Sequence, residues 1–262
     1  MPAVLGQHFL TDGNIIKKII SLVPENRNIL EIGPGRGALT GLLAEISGEV
    51  VCVEKDKLLA ETLKKKYGGG KIKIINADIL KTGPEVIKRA ACSGGPFFIV
   101  SNLPFSITTD IMFWLLSVPS WEKCLLTIQK DAADRLLSET GDSLYGRTSV
   151  TVSAFFAPER KFNIRRECFQ PPPLVDASVI LLTNGNSGTD ANDWKKFMNS
   201  CFFSKRKFLF SNLKRAGYKN PAGLFEKFSI GRNLRPHQVS PEKYLALFNS
   251  FFSLSPGGRG LG

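Results

Sequence analysis

The chain has 262 residues, room for one sizeable domain and a small appendage. Its 43% hydrophobic and 22% charged content is globular, which excludes disorder and collagen-like repeats, and no apolar run approaches the roughly 20 residues of a membrane span. Thirty-five Lys+Arg against 23 Asp+Glu leave a formal charge of +12, which suits a polyanionic partner, while two histidines and five scattered cysteines without a C-x-x-C pair predict no metal, disulfide framework or His-based triad.

Met1 to Gln7 has no charged n-region or long apolar core, so no signal peptide is predicted and a cytoplasmic location is expected. Ile15, Ile16, Ile19 and Ile20 follow Thr11-Asp12 at helical spacing. A strand is predicted over Asn28 to Ile32, followed by Gly33-Pro34-Gly35-Arg36-Gly37 and a helix. Further strands are predicted over Glu49 to Glu54, Lys71 to Ala77, Phe97 to Asn102, Lys123 to Gln129, Ser149 to Phe156 and Ala177 to Leu182. Between the second and third, Leu58, Leu59, Thr62 and Leu63 share one helix face behind an Asp56 N-cap. Alternating β and α segments predict an α/β, Rossmann-like fold with helices on both faces of a sheet, seven-stranded and mixed if the last strands form a hairpin.

Residues 184–192 have linker composition: Gly, Ser, Thr, Asn and Asp with no large apolar side chain. Residues 1–183 are thus expected to form the α/β domain. Residues 193–254 are expected to form a small all-α domain, followed by a tail over 255–262. Trp194, Phe197, Met198, Cys201, Phe202, Lys205, Phe208 and Leu209 read as one helix, and Tyr244 to Phe252 as another.

The glycine turn is the strongest local signal. Glycines there let a backbone lie close against a ligand. Glu54 follows Gly33 by about 20 residues, where such folds put a carboxylate on ribose hydroxyls. Glu31 stands two residues before Gly33, and Asn76-Ala77-Asp78 closes the next strand with groups for an adenine edge. NAD would call for G-x-G-x-x-G and a pyrophosphate at the helix N-terminus. The spacing here is G-x-G-x-G among carboxylates, which better suits S-adenosylmethionine with its cationic sulfonium.

The fourth strand runs out into Asn102-Leu103-Pro104-Phe105. Adenine N6 is a poor nucleophile because its lone pair is delocalised into the ring. A side-chain carbonyl from Asn102 and a main-chain carbonyl next to Pro104 can accept both N6 hydrogens and aim the lone pair. Proline offers no N–H there, and Phe105 offers a face on which an extruded base stacks.

The sequence resembles the ribosomal RNA adenine dimethyltransferase family, bacterial KsgA type. The matching residues are Gly6-Gln7-His8-Phe9-Leu10, Glu31 to Gly37, Glu54-Lys55-Asp56, Asn76-Ala77-Asp78 and Asn102-Leu103-Pro104-Phe105. Further on they are Gln129-Lys130, Tyr145-Gly146-Arg147, Phe169 to Ala177 and Arg235-Pro236. The resemblance implies S-adenosylmethionine-dependent N6-dimethylation of two adjacent adenosines near the 3′ end of small-subunit (16S) rRNA during maturation of the 30S particle, by a monomeric protein. It also implies that His8, Leu10, Gly33, Glu54, Asp78 and Asn102 contact the donor and that Gln7 closes over it. Phe105 stands where the family more often has tyrosine.

RNA contacts are expected from Arg147, Arg165, Arg166, Lys205, Arg206 and Lys207, in basic runs on either side of the linker that suggest an electrostatic cleft. Phe169 fits either base stacking or core packing. Two other readings stand beside this one. One is a large-subunit rRNA adenine methyltransferase of the macrolide-resistance type, and the other a non-catalytic RNA-binding assembly or transcription factor on the same fold.

Overall fold

The computed structural model describes residues 8–83, 87, 95–185 and 188–252. The chain divides into two compact units, one of Met1–Ala133 with Ala157–Gly185, the other of Asp134–Phe156 with Asn186–Gly262. Residues 134–156 therefore group with the later helices, where the sequence suggested a single cut near residue 184.

In the first unit, helix α1 (Gly13–Ile20) starts on the carboxylate of Asp12, which accepts from the N–H groups of Asn14 and Ile15 at 2.9 and 3.0 Å. It lays Ile15, Ile16, Ile19 and Ile20 against the core, as their spacing predicted. Strands β2 (Asn28–Ile32), β3 (Val50–Glu54), β4 (Ile72–Asn76), β5 (Phe97–Asn102) and β6 (Trp121–Gln129) run parallel to one another. They read as near-continuous apolar runs because both faces of such a sheet are covered; every residue of β3 is buried. Strand β9 (Ala177–Asn184) pairs antiparallel with β6, and β7 (Phe156–Ile164) closes the order β4-β3-β2-β5-β6-β9-β7, a mixed seven-stranded sheet. A separate ribbon pairs β1 (Phe9–Leu10) with β8 (Phe169–Gln170).

Order reverses at β2, which has β3 on one side and β5 on the other. That arrangement opens a crevice beyond the carboxyl ends of the two strands. The connection from β2 enters α2 (Thr40–Ile46), that from β3 enters α3 (Lys57–Tyr67), and α4 (Thr108–Ser117) and α5 (Lys130–Leu136) follow β5 and β6. Asp56 caps α3 as predicted, but the buried side is carried by Ala60 and Leu63 with Leu59 half-buried. Leu58 and Thr62 face water, Leu58 at 74% exposure. The N-cap fixes where the first turn begins and so turns position 58 outward.

The predicted strand over Ser149 to Phe156 is instead helix α6 (Arg147–Phe155) of the second unit. Its alternating hydroxyl and apolar residues imitate a half-buried strand. The hydroxyls are in fact inside: Thr151 Oγ1 donates to Arg147 O, Ser149 Oγ to Arg135 O, and Trp194 Nε1 to Thr151 Oγ1. With Thr148, Ser149, Val150, Thr151 and Val152 all buried, period gives no signal. The seventh strand is β7 itself, over a stretch for which no strand was predicted beyond Phe156.

Also in this unit, α7 (Ala191–Cys201) is capped by Asp190 and packs Trp194 against Phe155 and Phe248 at centroid separations of 4.8 and 5.1 Å. The predicted helix does not run on to Leu209. It ends at Cys201, and a bend over 202–208 leads into α8 (Leu209–Arg215). The buried Asn212 makes that break, since its amide donates to Cys201 O and Ser204 O at 2.9 and 3.0 Å, carbonyls that a continuing helix would have used. Helices α9 (Pro221–Lys227) and α10 (Pro241–Phe252) complete the unit. Among the described residues no helix is long and apolar enough to cross a membrane.

Candidate active site

A cavity lies at the carboxyl ends of β2 to β5, entirely within the first unit. Its wall contains His8, Leu10, Glu31, Gly33, Gly35, Glu54, Asp78, Asn102, Leu103 and Pro104, so the fold brings together ten of the residues singled out from the sequence. Gln7 lies outside the described residues, as does the side chain of Phe105, whose backbone opens a 3₁₀ turn over Phe105–Ile107.

Two glycines show why positions 33 and 35 of the turn after β2 carry no side chain. Gly33 has φ +65° with open space where a Cβ would stand, and Gly35 has φ +58° with that space 3.0 Å from the Phe9 ring. Left-handed backbone is costly for other residues, and an added methyl at Gly35 would press into the β1 segment. The Arg36 guanidinium lies over the same Phe9 ring at 4.3 Å.

Glu54 is 3% exposed and binds the turn from the end of β3. Its Oε2 accepts from Gly35 N–H at 3.0 Å and its Oε1 from Asp56 N–H at 2.8 Å. Carboxylate oxygens have further lone pairs, so the group can hold the turn and still accept ribose hydroxyls. Asp78 caps the 3₁₀ turn Ile79–Lys81 and pairs with Lys55 Nζ at 3.0 Å. Partial burial opposes its charge, but the Lys55 ammonium and the Leu80 N–H outweigh that and hold its pKa below the usual carboxylate range. Asn76 does not line the cavity; its amide donates to Glu54 O and Lys55 O and stitches the ends of β3 and β4 together. The apolar wall of Ile79 and Leu80 was not singled out from the sequence, and only its position after Asp78 could have suggested it.

Glu31 differs in kind. Its Oε2 accepts from Thr40 Oγ1 at 2.6 Å and from Cys52 Sγ at 3.4 Å, and the residue is 2% exposed. Burial lifts its pKa to about 7 despite those two bonds, with the Glu54 charge adding to the rise. Burial, together with Glu31, holds the Cys52 thiol far above its usual range. The native state thus binds more protons than the unfolded chain between about pH 4.5 and 7. Without ligand, stability should therefore fall by roughly 3 kcal/mol across that window as pH rises, and level off above it. Urea unfolding of wild type and Glu31→Gln from pH 4.5 to 8 should give diverging profiles, the variant losing this slope; parallel profiles would contradict it.

Asn102 ends β5, half-buried, with its Nδ2 donating to His8 O at 3.2 Å. That bond fixes the amide's orientation and leaves Oδ1 as the acceptor. Pro104 O accepts from Ile107 N–H at 3.2 Å, while among the described residues no backbone N–H outside the helices and strands donates to Leu103 O, the other main-chain carbonyl beside Pro104. Leu103 N–H is tied to Thr127 O at 3.0 Å and Ser101 Oγ to Ile32 O at 2.6 Å, so the loop's root is rigid. The segment opposite is pinned as well: His8 Nδ1 donates to Pro171 O at 2.7 Å and Thr11 N–H to Cys168 O at 2.9 Å. Phe169 is 3% exposed; it packs in the core cluster and also lines the cavity.

A buried acidic rim, an apolar wall and a glycine-rich turn fit a nucleoside with a cationic tail. All the expected RNA-contacting cations lie at the surface. Arg165 and Arg166 flank the start of a 3₁₀ turn in the first unit, with Arg166 Nε donating to Glu167 at 3.1 Å. In the second unit, Arg147 donates to Asn199 Oδ1, Lys205 Nζ reaches Tyr145 O at 3.5 Å, and Arg206 and Lys207 are exposed.

The model of a family described as ribosomal RNA adenine dimethylase matches residues 3–252. A "Ribosomal RNA small subunit methyltransferase A" from Mycoplasma mobile is 36% identical over 250 residues, covering 93% of this chain and 95% of its own length. A crystal structure of a dimethyladenosine transferase from Plasmodium falciparum superposes with a TM-score of 0.76 at 26% identity, covering 93% of this chain and 97% of that one. The structure of the 23S rRNA methyltransferase ErmE gives 0.64 at 27% identity, covering 92% and 98%.

Proposed function

The chain belongs to the ribosomal RNA adenine dimethylase family, and on that premise we propose that it N6-dimethylates two adjacent adenosines near the 3′ end of 16S rRNA during small-subunit maturation. The observation that carries this reading is the juxtaposition in one cavity of the Glu54–Gly35 cradle and the Asn102-Leu103-Pro104 loop. S-adenosylmethionine, when bound, supplies a methyl group on a sulfonium that leaves as a neutral thioether.

The chain's own residues supply the rest. Glu54 accepts the ribose hydroxyls, and Asp78 with Ile79 and Leu80 takes the adenine. Glu31 gives the wall a carboxylate beside the cationic end. His8, Leu10, Gly33 and Gly35 bound the pocket, and Gln7 is assigned to its closure. Asn102 Oδ1 and Leu103 O accept the two N6 hydrogens of the target base, favouring pyramidal nitrogen with its lone pair aimed at the methyl carbon. Pro104 shapes this loop and Phe105 stacks the base. Phe169, buried in the core, borders the same space. No strong base is called for, because attack raises the acidity of the N6 protons as charge builds on nitrogen, and the proton lost with each methyl passes to water.

The unit of Met1–Ala133 with Ala157–Gly185 acts as the methyltransferase, and the unit of Asp134–Phe156 with Asn186–Gly262 holds RNA. The substrate is the 30S pre-ribosomal particle in the cytoplasm, met by a monomer. Arg147, Arg165, Arg166, Lys205, Arg206 and Lys207 bind phosphates. Replacing Lys205, Arg206 and Lys207 together with alanine should flatten the slope of log K against log salt by about 2, since each neutralised phosphate on single strands contributes roughly 0.7. Filter binding between 50 and 300 mM salt reads this, and an unaltered slope would move the RNA elsewhere.

The reading is tested by incubating the protein and labelled donor with small subunits, large subunits and free 16S rRNA, all lacking the modification, and mapping dimethyladenosine. Label confined to paired adenosines in the small subunit supports it. Label in large subunits would favour the macrolide-resistance type instead.

A further inference from the structure

The bend between α7 and α8 leaves two large rings in water, Phe203 at 62% and Phe208 at 46% exposure. A lone exposed phenylalanine needs no explanation. Two on one seven-residue bend, with Lys205, Arg206 and Lys207 exposed between them, gather aromatic and cationic side chains on one short surface segment. The bend is built rather than frayed. Asn212 holds it from inside through Cys201 O and Ser204 O, Lys207 N–H donates to Ser204 O at 3.3 Å, and Leu209 N–H donates to Leu234 O at 2.9 Å. The Arg215 guanidinium sits over one side of the Phe203 ring at 3.5 Å, steadying it while most of its surface stays open.

We propose that Phe203 and Phe208 are stacking platforms for unpaired bases of an RNA strand whose phosphates are met by the three cations between them. This rests on the ribosomal RNA reading above and specifies that the strand crossing this bend is single-stranded. A phenyl face accepts any base, but a paired helix keeps its bases stacked inside, so the rings can engage only nucleotides free of pairing. The cations favour RNA over an apolar protein surface, which would gain nothing from three ammonium and guanidinium groups beside the rings.

The test compares binding of a mixed-sequence single-stranded RNA of about 12 nucleotides with a fully paired duplex of the same length. Phe203→Ala with Phe208→Ala should weaken single-strand binding about 10- to 100-fold. Duplex affinity and the salt slope should stay as in wild type, because stacking releases no counterions. Tryptophan at both positions should restore single-strand binding and leucine should not, in proteins whose thermal unfolding matches wild type. Unchanged single-strand affinity in the alanine variant, or rescue by leucine, would overturn the proposal, the latter assigning the rings to an apolar protein contact. Failure of the parent reading looks different: wild type would then bind neither RNA and methylate no rRNA.

Discussion

Asn102→Ala is expected to leave donor affinity within about twofold of wild type and to cut methyl transfer by about 10²–10³-fold. The magnitude is that of losing one preorganised hydrogen-bonding group aimed at a reacting atom. Asn102 borders the cavity through a single side chain whose Nδ2 is already held by His8 O, so its Oδ1 has a fixed aim. The interaction matters most when N6 becomes pyramidal, and so it acts on the rate of transfer rather than on the donor. Single-turnover kinetics with saturating donor, alongside a donor titration, separate the two effects. Equal loss of both would refute the assigned role. Asn102→Asp is a useful companion, because it keeps an acceptor but gives up the N–H bond to His8 O, and an intermediate loss would assign part of the effect to aim.

Changing Glu54→Ala is expected to do the reverse, raising the donor's dissociation constant by about 10- to 100-fold. The ribose loses its charged acceptor, a bond worth roughly 1.5–3 kcal/mol, which accounts for the change, and the N–H groups of Gly35 and Asp56 lose their acceptor in the free protein as well. The glycine turn would lose its bond to the end of β3, so its left-handed φ angles would be less well determined. Calorimetric titration with the demethylated product checks this, and unchanged affinity would contradict the ribose-binding role.

Much of the catalytic half was legible because its chemistry is local. Parallel strands buried on both faces announce themselves as apolar runs, and the residues that matter stand at their carboxyl ends, where topology alone gathers them. Thus Glu54, Asp78 and Asn102, far apart in sequence, line one cavity. What escaped was set by tertiary partners. Helix α6 imitates a strand because its hydroxyls point inward to acceptors such as Arg135 O, which no local pattern reveals. The long helix predicted through Leu209 breaks because one buried amide, Asn212, takes over two carbonyls. Glu31 was legible as a carboxylate near the donor, but not as one held by Thr40 and Cys52 with its pKa near neutrality. The ribbon of β1 and β8 has two-residue strands, too short for any period, yet it pins the segment whose His8 carbonyl aligns Asn102.

The most direct measurement of the central claim is a crystal structure of the protein with S-adenosylhomocysteine and adenosine. The expected result has ribose hydroxyls on Glu54 and the target N6 within about 2.6–3.2 Å of both Asn102 Oδ1 and Leu103 O. An empty glycine turn, or a base whose amino group points away from that loop, would contradict the account.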